Sequence, residues 1–267
     1  MRPEFQPPAP RAVLLGASNL TRGFRFAVRE AHRHRGRHPR IFAALGHGRS
    51  YGLKSSVLGR ALPGIATCGL WTALEISTPA PTVALVTDVG NDLLYGATLD
   101  EITAWVEICL KRLSRLGALT IVTLLPEASL DRLGAVRFTL VRSLLFPRSR
   151  LRLGEAMTTA RALNARLRAL AHDCGAAVRE LDGDWYGFDP IHIRGRFMAD
   201  AWRQILEPWK LSSGAERPRG SELEAANETD VPSLRALRPE VYWRFGRQRI
   251  VAQPCVKLRS CTEISLY

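Results

Sequence analysis

Residues 12–19 read Ala-Val-Leu-Leu-Gly-Ala-Ser-Asn, a short apolar run that ends in a glycine and small polar residues. Such a run is typical of a buried β-strand that leads into a turn, and the stretch 21–34 that follows it predicts a helix. The same pattern recurs along the chain. Four further strands are predicted, at residues 41–45, 82–86, 119–125 and 177–181.

Helices are predicted between and after these strands. Apolar residues recur at helical spacing between Ile102 and Leu116, and residues 98–100 offer an N-cap for that helix. Further helices are predicted over residues 154–174 and 195–209. Apolar strands that alternate with helices predict an α/β fold, in which helices cover both faces of a parallel sheet. Ligands bind such a sheet at the carboxyl ends of its strands.

The chain divides into four parts by composition. Residues 1–11 form a proline-rich tail, which we expect to be flexible, and residues 12–210 hold the α/β domain. Residues 211–239 turn polar, which indicates a linker. Residues 240–267 alternate at period two and predict a small C-terminal antiparallel β appendage. Two or three strands are marginal alone in water, so we expect the appendage to pack on another surface, with the chain's own domain favoured over a second copy of the chain.

The chain of 267 residues is strongly basic, with 38 Lys and Arg against 25 Asp and Glu and a net charge of +13. Arginine supplies 34 of the 38 basic residues. The charge is spread along the chain, whereas a nucleic-acid-binding protein concentrates it on one element. The composition is therefore that of an ordinary globular protein, and a nucleic-acid partner is not favoured.

The location of the protein is predicted from features that the sequence lacks. No apolar run reaches the roughly 18 residues that a membrane span needs, and residues 1–10 have no apolar signal region. The five cysteines are odd in number and lack metal-binding spacing, which favours reduced thiols. We predict a cytoplasmic protein without a bound metal.

Polar residues follow four of the predicted elements at the point where each ends. They are Ser18-Asn19, the glycine-rich segment 46–52, Gly90-Asn91-Asp92 and the segment 189–192. Each has an ordinary structural explanation when taken alone, as a helix cap, a tight loop or a turn. Their joint occurrence, in order and each after a strand, instead indicates one site.

Together these residues resemble the sequence blocks of the SGNH, or GDSL-like, hydrolase superfamily over residues 13–209. Residues 15–19 resemble the first block, with its usual Gly-Asp-Ser-Leu relaxed to Gly-Ala-Ser-Asn. Segment 46–52 resembles the second block, and Val-Gly-Asn-Asp at 89–92 resembles the third, although its glycine lies one place late. Asp-Pro-Ile-His at 189–192 matches the last. The resemblance implies a three-layer α/β/α, flavodoxin-like fold.

The resemblance also implies a catalytic triad and a serine esterase or deacylase activity. Ser18 lies at the position of the nucleophile, His192 at that of the general base, and Asp189 at that of the acid that orients the histidine. A serine hydroxyl needs such a base to attack an ester at neutral pH. The expected reaction is hydrolysis of an ester or thioester through an acyl-enzyme on Ser18, with no cofactor.

An oxyanion hole is the second part of the implied site. The donors are the Ser18 N–H, the Gly48 N–H and the Asn91 side chain, with Gly46 as the alternative to Gly48. The Gly-x-Ser-x-Gly turn of the α/β-hydrolases is absent, because position 20 is leucine.

A small-molecule ester or acylated compound is the expected substrate. His47, Arg49 and Tyr51 flank the proposed oxyanion loop, and Arg22 lies one helical turn after Ser18, so these four are candidates for substrate binding. Two other functions stay open at this point: a catalytically idle SGNH-like binding module, and a basic protein associated with nucleic acid.

Overall fold

A seven-stranded sheet forms the centre of the molecule. The computed structural model describes residues 8–35, 39–57, 59–131, 153–212, 231, 234, 236–258 and 262–267. The strands of the central sheet are β1 (Arg11–Leu15), β2 (Arg40–Ala44), β5 (Thr82–Val86), β6 (Leu119–Thr123), β7 (Ala177–Arg179), β10 (Val256–Lys257) and β11 (Glu263–Leu266). A separate four-stranded sheet contains β3 (Ser55–Val57), β4 (Arg60–Leu62), β8 (Val241–Arg244) and β9 (Arg247–Ile250).

The strand order of the central sheet is β10-β11-β2-β1-β5-β6-β7, and every neighbouring pair is parallel except β10 and β11. The five strands predicted from the sequence therefore stand in the order 2-1-3-4-5, which is the flavodoxin-like order. The chain reverses direction across the sheet at β1, between β2 and β5. Ligands bind this fold at the carboxyl ends of the strands beside that reversal.

Helices cover both faces of the sheet, which confirms the predicted three-layer α/β/α architecture. The helices are α1 (Ser18–Arg35), α2 (Leu70–Ile76), α3 (Asn91–Leu94), α4 (Leu99–Arg115), α5 (Glu127–Asp131), α6 (Leu153–Asp173) and α7 (Met198–Ile205). Thr98 caps α4, and Glu101 completes a capping box with it. Among the described helices, none combines the length and the apolar composition that crossing a bilayer requires.

Alternating side chains of each strand supply two separate cores. Ala12 and Leu14 of β1 pack with apolar residues of α1 and α7, whereas Val13 and Leu15 pack with those of α4 and α6. α1 and α7 approach closely at one glycine. A Cβ atom on Gly23 would lie 1.8 Å from Nε1 of Trp202, so only glycine admits the indole ring there.

The C-terminal residues belong to both sheets, which changes the predicted picture of a single appendage. β11 pairs in parallel with β2 and so extends the central sheet, while β8 pairs with β4 and β9 with β8. The small antiparallel sheet is confirmed, but half of its strands come from residues 55–62. The predicted appendage is thus packed on the chain's own domain.

Two of the predicted boundaries also shift. Arg11, placed in the tail, belongs to β1 and is buried, and its Nε donates to Thr82 Oγ1 at 3.0 Å. Leu237, placed in the linker, is buried in the core formed with α1 and α7. Most of the predicted linker, residues 213–230, and residues 1–7 of the tail lie outside the described residues.

The role of β11 can be tested with a pair of isoleucines. Ile264 of β11 is 0% exposed in the core, whereas Ile250 at the end of β9 is 75% exposed. Truncating a buried isoleucine to alanine removes apolar contacts and leaves a cavity. Ile264→Ala should therefore lower the free energy of unfolding by about 2–5 kcal/mol, and Ile250→Ala by less than about 0.5 kcal/mol, as measured by urea denaturation. Equal effects of the two substitutions would show that β11 is not part of the core.

Candidate functional site

The turn between β1 and α1 presents Ser18 as the first residue of the helix. Gly16 allows this tight turn, because a Cβ atom there would lie 2.6 Å from Cγ2 of Thr87 at the end of β5. Ser18 is 6% exposed. The N–H groups on either side of it, those of Ala17 and Leu20, donate to Asp88 Oδ2 at 2.8 and 3.1 Å. The N–H of Ser18 itself has no hydrogen-bond partner within the described residues.

His192 and Asp189 are hydrogen-bonded as the triad requires. Nδ1 of His192 lies 2.6 Å from Oδ2 of Asp189, and the other carboxylate oxygen accepts the N–H groups of Ile191 (3.0 Å) and His192 (3.3 Å). Burial alone would raise the pKa of Asp189. The hydrogen bond and charge of His192, together with these N–H groups, outweigh burial and lower that pKa. Asp189 is therefore an ionised acceptor that leaves Nε2 of the ring available.

The residue after Ser18 connects the two parts of the predicted triad. The side chain of Asn19 donates to the carbonyl oxygen of Ile191 and accepts the N–H of Ile193, both at 2.9 Å. These two backbone groups flank His192. The segment that carries Ser18 is thus bound to the segment that carries His192.

Asn91 supplies a buried polar group with nothing to bind. It begins α3, just after β5, and is 6% exposed. Its Nδ2 atom is buried and has no hydrogen-bond partner among the described residues. An unpaired buried donor costs free energy unless a ligand satisfies it. Asn91 is therefore suited to bind a ligand oxygen.

The glycine-rich loop is anchored to α3 by Asp92. The Asp92 carboxylate accepts hydrogen bonds from the Ser50 hydroxyl and from the Tyr51 N–H, the latter at 3.0 Å. Asp92 is fully buried, and burial raises its pKa to about 6, although these two hydrogen bonds favour the charged form. The loop that follows β2 is thereby fixed beside Asn91.

Gly48 lies in this loop in a conformation that favours glycine. Its φ is +61°, and a Cβ atom would lie 2.8 Å from Val57 Cγ2 and 2.9 Å from the Tyr95 hydroxyl. Its carbonyl oxygen accepts that hydroxyl at 2.5 Å, whereas its N–H has no partner within the described part of the chain. Gly48 therefore retains a free donor, as the oxyanion prediction needs.

Two of the four candidate substrate-binding residues are instead structural. Arg49 is fully buried, and its guanidinium donates to the backbone carbonyl oxygens of Leu45, Pro63 and Tyr267. Tyr51 is also fully buried, and its hydroxyl donates to the Thr87 carbonyl oxygen at 2.8 Å. The prediction that they contact substrate is wrong, because neither side chain reaches the surface.

The other two candidates stay at the surface. His47 and Arg22 are both exposed. Partial burial lowers the pKa of His47, and the positive charges of His192, Arg22 and Arg60 lower it further. His47 therefore lies near both His192 and Arg22.

An apolar cavity of about 110 Å³ lies beside Asn19 and Asp88. Leu93, Leu125 and Ala160 contribute to its mostly apolar lining. Asn91 and Ile191 line it too, which places the cavity directly beside the unpaired amide and the histidine loop.

Tyr186 adds a second unsatisfied polar atom to the cavity wall. Its hydroxyl is buried and has no hydrogen-bond partner among the residues that the structure describes. Burial raises the pKa of Tyr186, and the negative charges of Asp88 and Asp189 raise it further. The hydroxyl is therefore a neutral group that a ligand could bind. Across the described ranges, no cluster of three or more His, Cys, Asp or Glu side chains could hold a metal ion.

Comparisons with known proteins agree on the fold. No protein-family model and no curated protein matches the chain. Among solved structures, Est24, a carbohydrate acetylesterase from Sinorhizobium meliloti, is similar with 17% identity and a TM-score of 0.50 over 74% of this chain and 97% of its own. The aryl esterase of M. smegmatis has 13% identity and a TM-score of 0.49, with the same coverage of both chains. At such identities the likeness concerns the fold alone, and the similarity to Est24 agrees with the predicted three-layer α/β/α fold.

Three residues whose side chains hold the segments of the site together were not predicted from the sequence. Asn19 and Asp92 belong to the segments 12–19 and 89–92 described above, and Asp88 directly precedes the second of these. Asn19 and Asp88 act through partners far away in the chain, and no spacing rule connects them. Only the role of Asp92 could have been predicted from the sequence, because a carboxylate in a buried turn next to Asn91 requires hydrogen-bond donors from another segment.

The buried carboxylate of Asp92 makes the stability dependent on pH. Its pKa is about 6 in the folded protein and about 3.9 in an unfolded chain. The folded state therefore binds more protons between these values, so the contribution of Asp92 to stability is present at pH 4 and is lost as the pH rises through 6. The free energy of unfolding of the wild type, relative to that of Asp92→Asn, should fall over this range by up to about 3 kcal/mol.

Urea denaturation at several pH values from 4 to 7 measures this difference. The variant Asp173→Asn removes an exposed carboxylate and controls for the general change in charge. If the difference in the free energy of unfolding between the wild type and Asp92→Asn does not change with pH, the pKa of Asp92 is the same in the folded and the unfolded protein.

Proposed function

We propose that the protein is a serine esterase that hydrolyses small acyl esters through an acyl-enzyme on Ser18. The proposal rests above all on one observation: a histidine hydrogen-bonded to a carboxylate at 2.6 Å lies on a loop that is bound to the residue after a buried serine. A buried, unpaired amide donor stands at the neighbouring strand end. A nucleophile, a base with its orienting acid, and an oxyanion donor make up the requirements of acyl transfer.

Acylation begins when Ser18 Oγ attacks the carbonyl carbon of the ester and Nε2 of His192 takes the hydroxyl proton. The resulting imidazolium is stabilised by the negative charge of Asp189. The bond to the alcohol then breaks, and the imidazolium gives its proton to the departing oxygen. Water repeats the sequence on the acyl-enzyme, which releases the carboxylic acid and restores the serine.

The negative oxygen of the tetrahedral intermediates requires fixed donors. We assign these to the N–H groups of Ser18 and Gly48 and to Nδ2 of Asn91. All three lack partners among the described residues, so they need not break other hydrogen bonds when charge develops. The Asp92 anchor holds Asn91 and the Gly48 loop at a constant separation, which is the preorganisation that this effect depends on.

The apolar cavity beside Asn91 is proposed to take the acyl chain. A cavity of about 150 Å³ can bind benzene, so a cavity of about 110 Å³ suits a chain of roughly four to five carbons. The exposed side chains of His47 and Arg22 would contact the alcohol part.

The nucleophile is tested by substitution and covalent labelling. Ser18→Ala should reduce hydrolysis of p-nitrophenyl butyrate by on the order of 10⁴-fold or more, because the covalent intermediate can no longer form. A fluorophosphonate probe should label the wild type and not the variant. Equal labelling of both proteins, with unchanged circular dichroism, would contradict the assignment.

The proposed acyl site is tested by a substitution on α6 that reduces the volume of the cavity. Ala160 of α6 is buried and lines the cavity, whereas Ala165 of the same helix is exposed. Ala160→Leu should shift the preferred p-nitrophenyl ester from butyrate to acetate, lowering kcat/KM for butyrate by roughly 10-fold or more, because one or two methylene groups in an apolar pocket discriminate by about that factor. Ala165→Leu should leave the preference unchanged.

Enlarging the same cavity gives the complementary result. Leu125→Ala should move the preference toward hexanoate, which keeps the test usable if Ala160→Leu folds poorly. A preference that follows the length of the alcohol rather than the acyl chain in a matched ester series would contradict the acyl assignment.

A further inference from the structure

The side chain of Asn19 uses all of its hydrogen-bonding groups within the site. Its Oδ1 accepts the N–H of Ile193, and its Nδ2 donates to the carbonyl oxygen of Ile191 and to Oδ1 of Asp88, each at 2.9 Å. Asn19 is 7% exposed. A buried amide with three satisfied hydrogen bonds holds one geometry, since any rotation would leave buried polar groups unpaired.

Asp88 completes the connection from the other side. While Oδ1 binds Asn19, Oδ2 accepts the N–H groups of Ala17 and Leu20, which enclose Ser18 in the nucleophile turn. Asp88 has a φ of +60°, a left-handed conformation that Asp and Asn tolerate better than other non-glycine residues. This one carboxylate therefore joins the end of β5 to the turn that carries the nucleophile.

The orienting acid of the proposed triad, Asp189, cannot fix the position of His192 relative to Ser18. Asp189 lies three residues before His192 in the same loop, so their hydrogen bond sets the orientation of the ring within the loop. It does not set the distance of the loop from Ser18. The hydrogen bonds of Asn19 join the loop to the nucleophile turn, and they do so on both sides of His192.

We propose that Asn19 and Asp88 form a positioning pair that fixes His192 relative to Ser18, an inference that rests on the proposed function. Neither side chain takes part in the proton transfers. A displacement of the base by about 1 Å can slow catalysis by roughly 10²-fold. Loss of the pair should therefore lower kcat while leaving substrate binding almost unchanged.

The first test replaces Asn19 with an apolar residue of similar size. Asn19→Leu should lower kcat for p-nitrophenyl butyrate by about 10- to 100-fold, with KM within about twofold. The midpoint of the pH dependence of kcat/KM should stay where it is in the wild type, because Asp189 moves together with His192. A shifted midpoint, or a loss confined to KM, would overturn the positioning role.

A control separates positioning from a loss of stability. Thr82 is buried at the opposite end of β5, where its hydroxyl accepts Arg11 Nε and donates to the Ala80 carbonyl oxygen. Thr82→Val removes these buried hydrogen bonds and should lower Tm without changing kcat. An equal fall in kcat for Thr82→Val and Asn19→Leu at matched Tm would show that only stability is involved.

The sharpest test exchanges the two side chains. Asp88→Asn alone places two amide donors face to face, and Asn19→Asp alone places two carboxylates face to face, so each should lower kcat. In the double variant an Asn at 88 can accept the N–H groups of Ala17 and Leu20 and donate to an Asp at 19, which still accepts the N–H of Ile193 but no longer donates to the Ile191 carbonyl oxygen. The double variant should therefore be about 10-fold faster than Asn19→Asp alone, because the two facing carboxylates are gone, and remain slower than the wild type. A double variant as slow as the product of the two single losses would overturn the pair.

A measurement without turnover keeps this inference separate from the proposed function. Amide hydrogen exchange of the peptide segment 187–194 should be faster in Asn19→Leu than in the wild type, and unchanged in Thr82→Val. Unchanged hydrogen exchange in Asn19→Leu would overturn the positioning pair, even if the wild type hydrolyses esters. A wild type without esterase activity would overturn the proposed function, while the exchange data would still decide whether the contact holds the loop.

Discussion

The carboxylate of Asp88 is the contact on which the site depends. It lies where the chain leaves β5, and it binds the N–H groups on both sides of Ser18 as well as the amide of Asn19. The reversal of strand order at β1 brings these segments together, because β1 and β5 are neighbours although 71 residues separate Ala17 from Asp88. The flavodoxin-like topology thus determines which residues can become catalytic partners.

A second carboxylate, four residues further along the chain, has a similar role. Asp92 holds the glycine-rich loop through Ser50 and Tyr51, so that Asn91 and Gly48 keep a constant relation. Asp92 is completely buried, so its charged form loses the favourable interaction with water, and its pKa is raised for that reason. The carboxylates of Asp88 and Asp92 bind neighbouring groups and do not accept from Ser18 N–H, Gly48 N–H or Asn91 Nδ2, so these three donors stay unpaired among the described residues.

The sequence permits the central sheet to be predicted because its strands are apolar throughout, a pattern that burial on both faces imposes. Ser18, Asn91 and His192 can be proposed as site residues because each follows a strand of that pattern. β11 could not be assigned to this sheet, since a short strand carries no information about a partner such as β2, more than 200 residues earlier. The burial of Arg49 was equally unpredictable, because an arginine in a glycine-rich loop is ordinarily exposed and one of its backbone acceptors, Tyr267, lies 218 residues away.

The formation of an acyl-enzyme on Ser18 is the central claim, and trapping it is the most direct test. Trypsin should release residues 12–22, in which Ser18 and Thr21 are the only hydroxyl side chains. Acid quenching during turnover of p-nitrophenyl butyrate, followed by mass spectrometry, should show this peptide with one added butyryl group, and fragmentation should place the group on Ser18. A peptide without the added mass during active turnover, or a butyryl group on any other residue, would contradict the account.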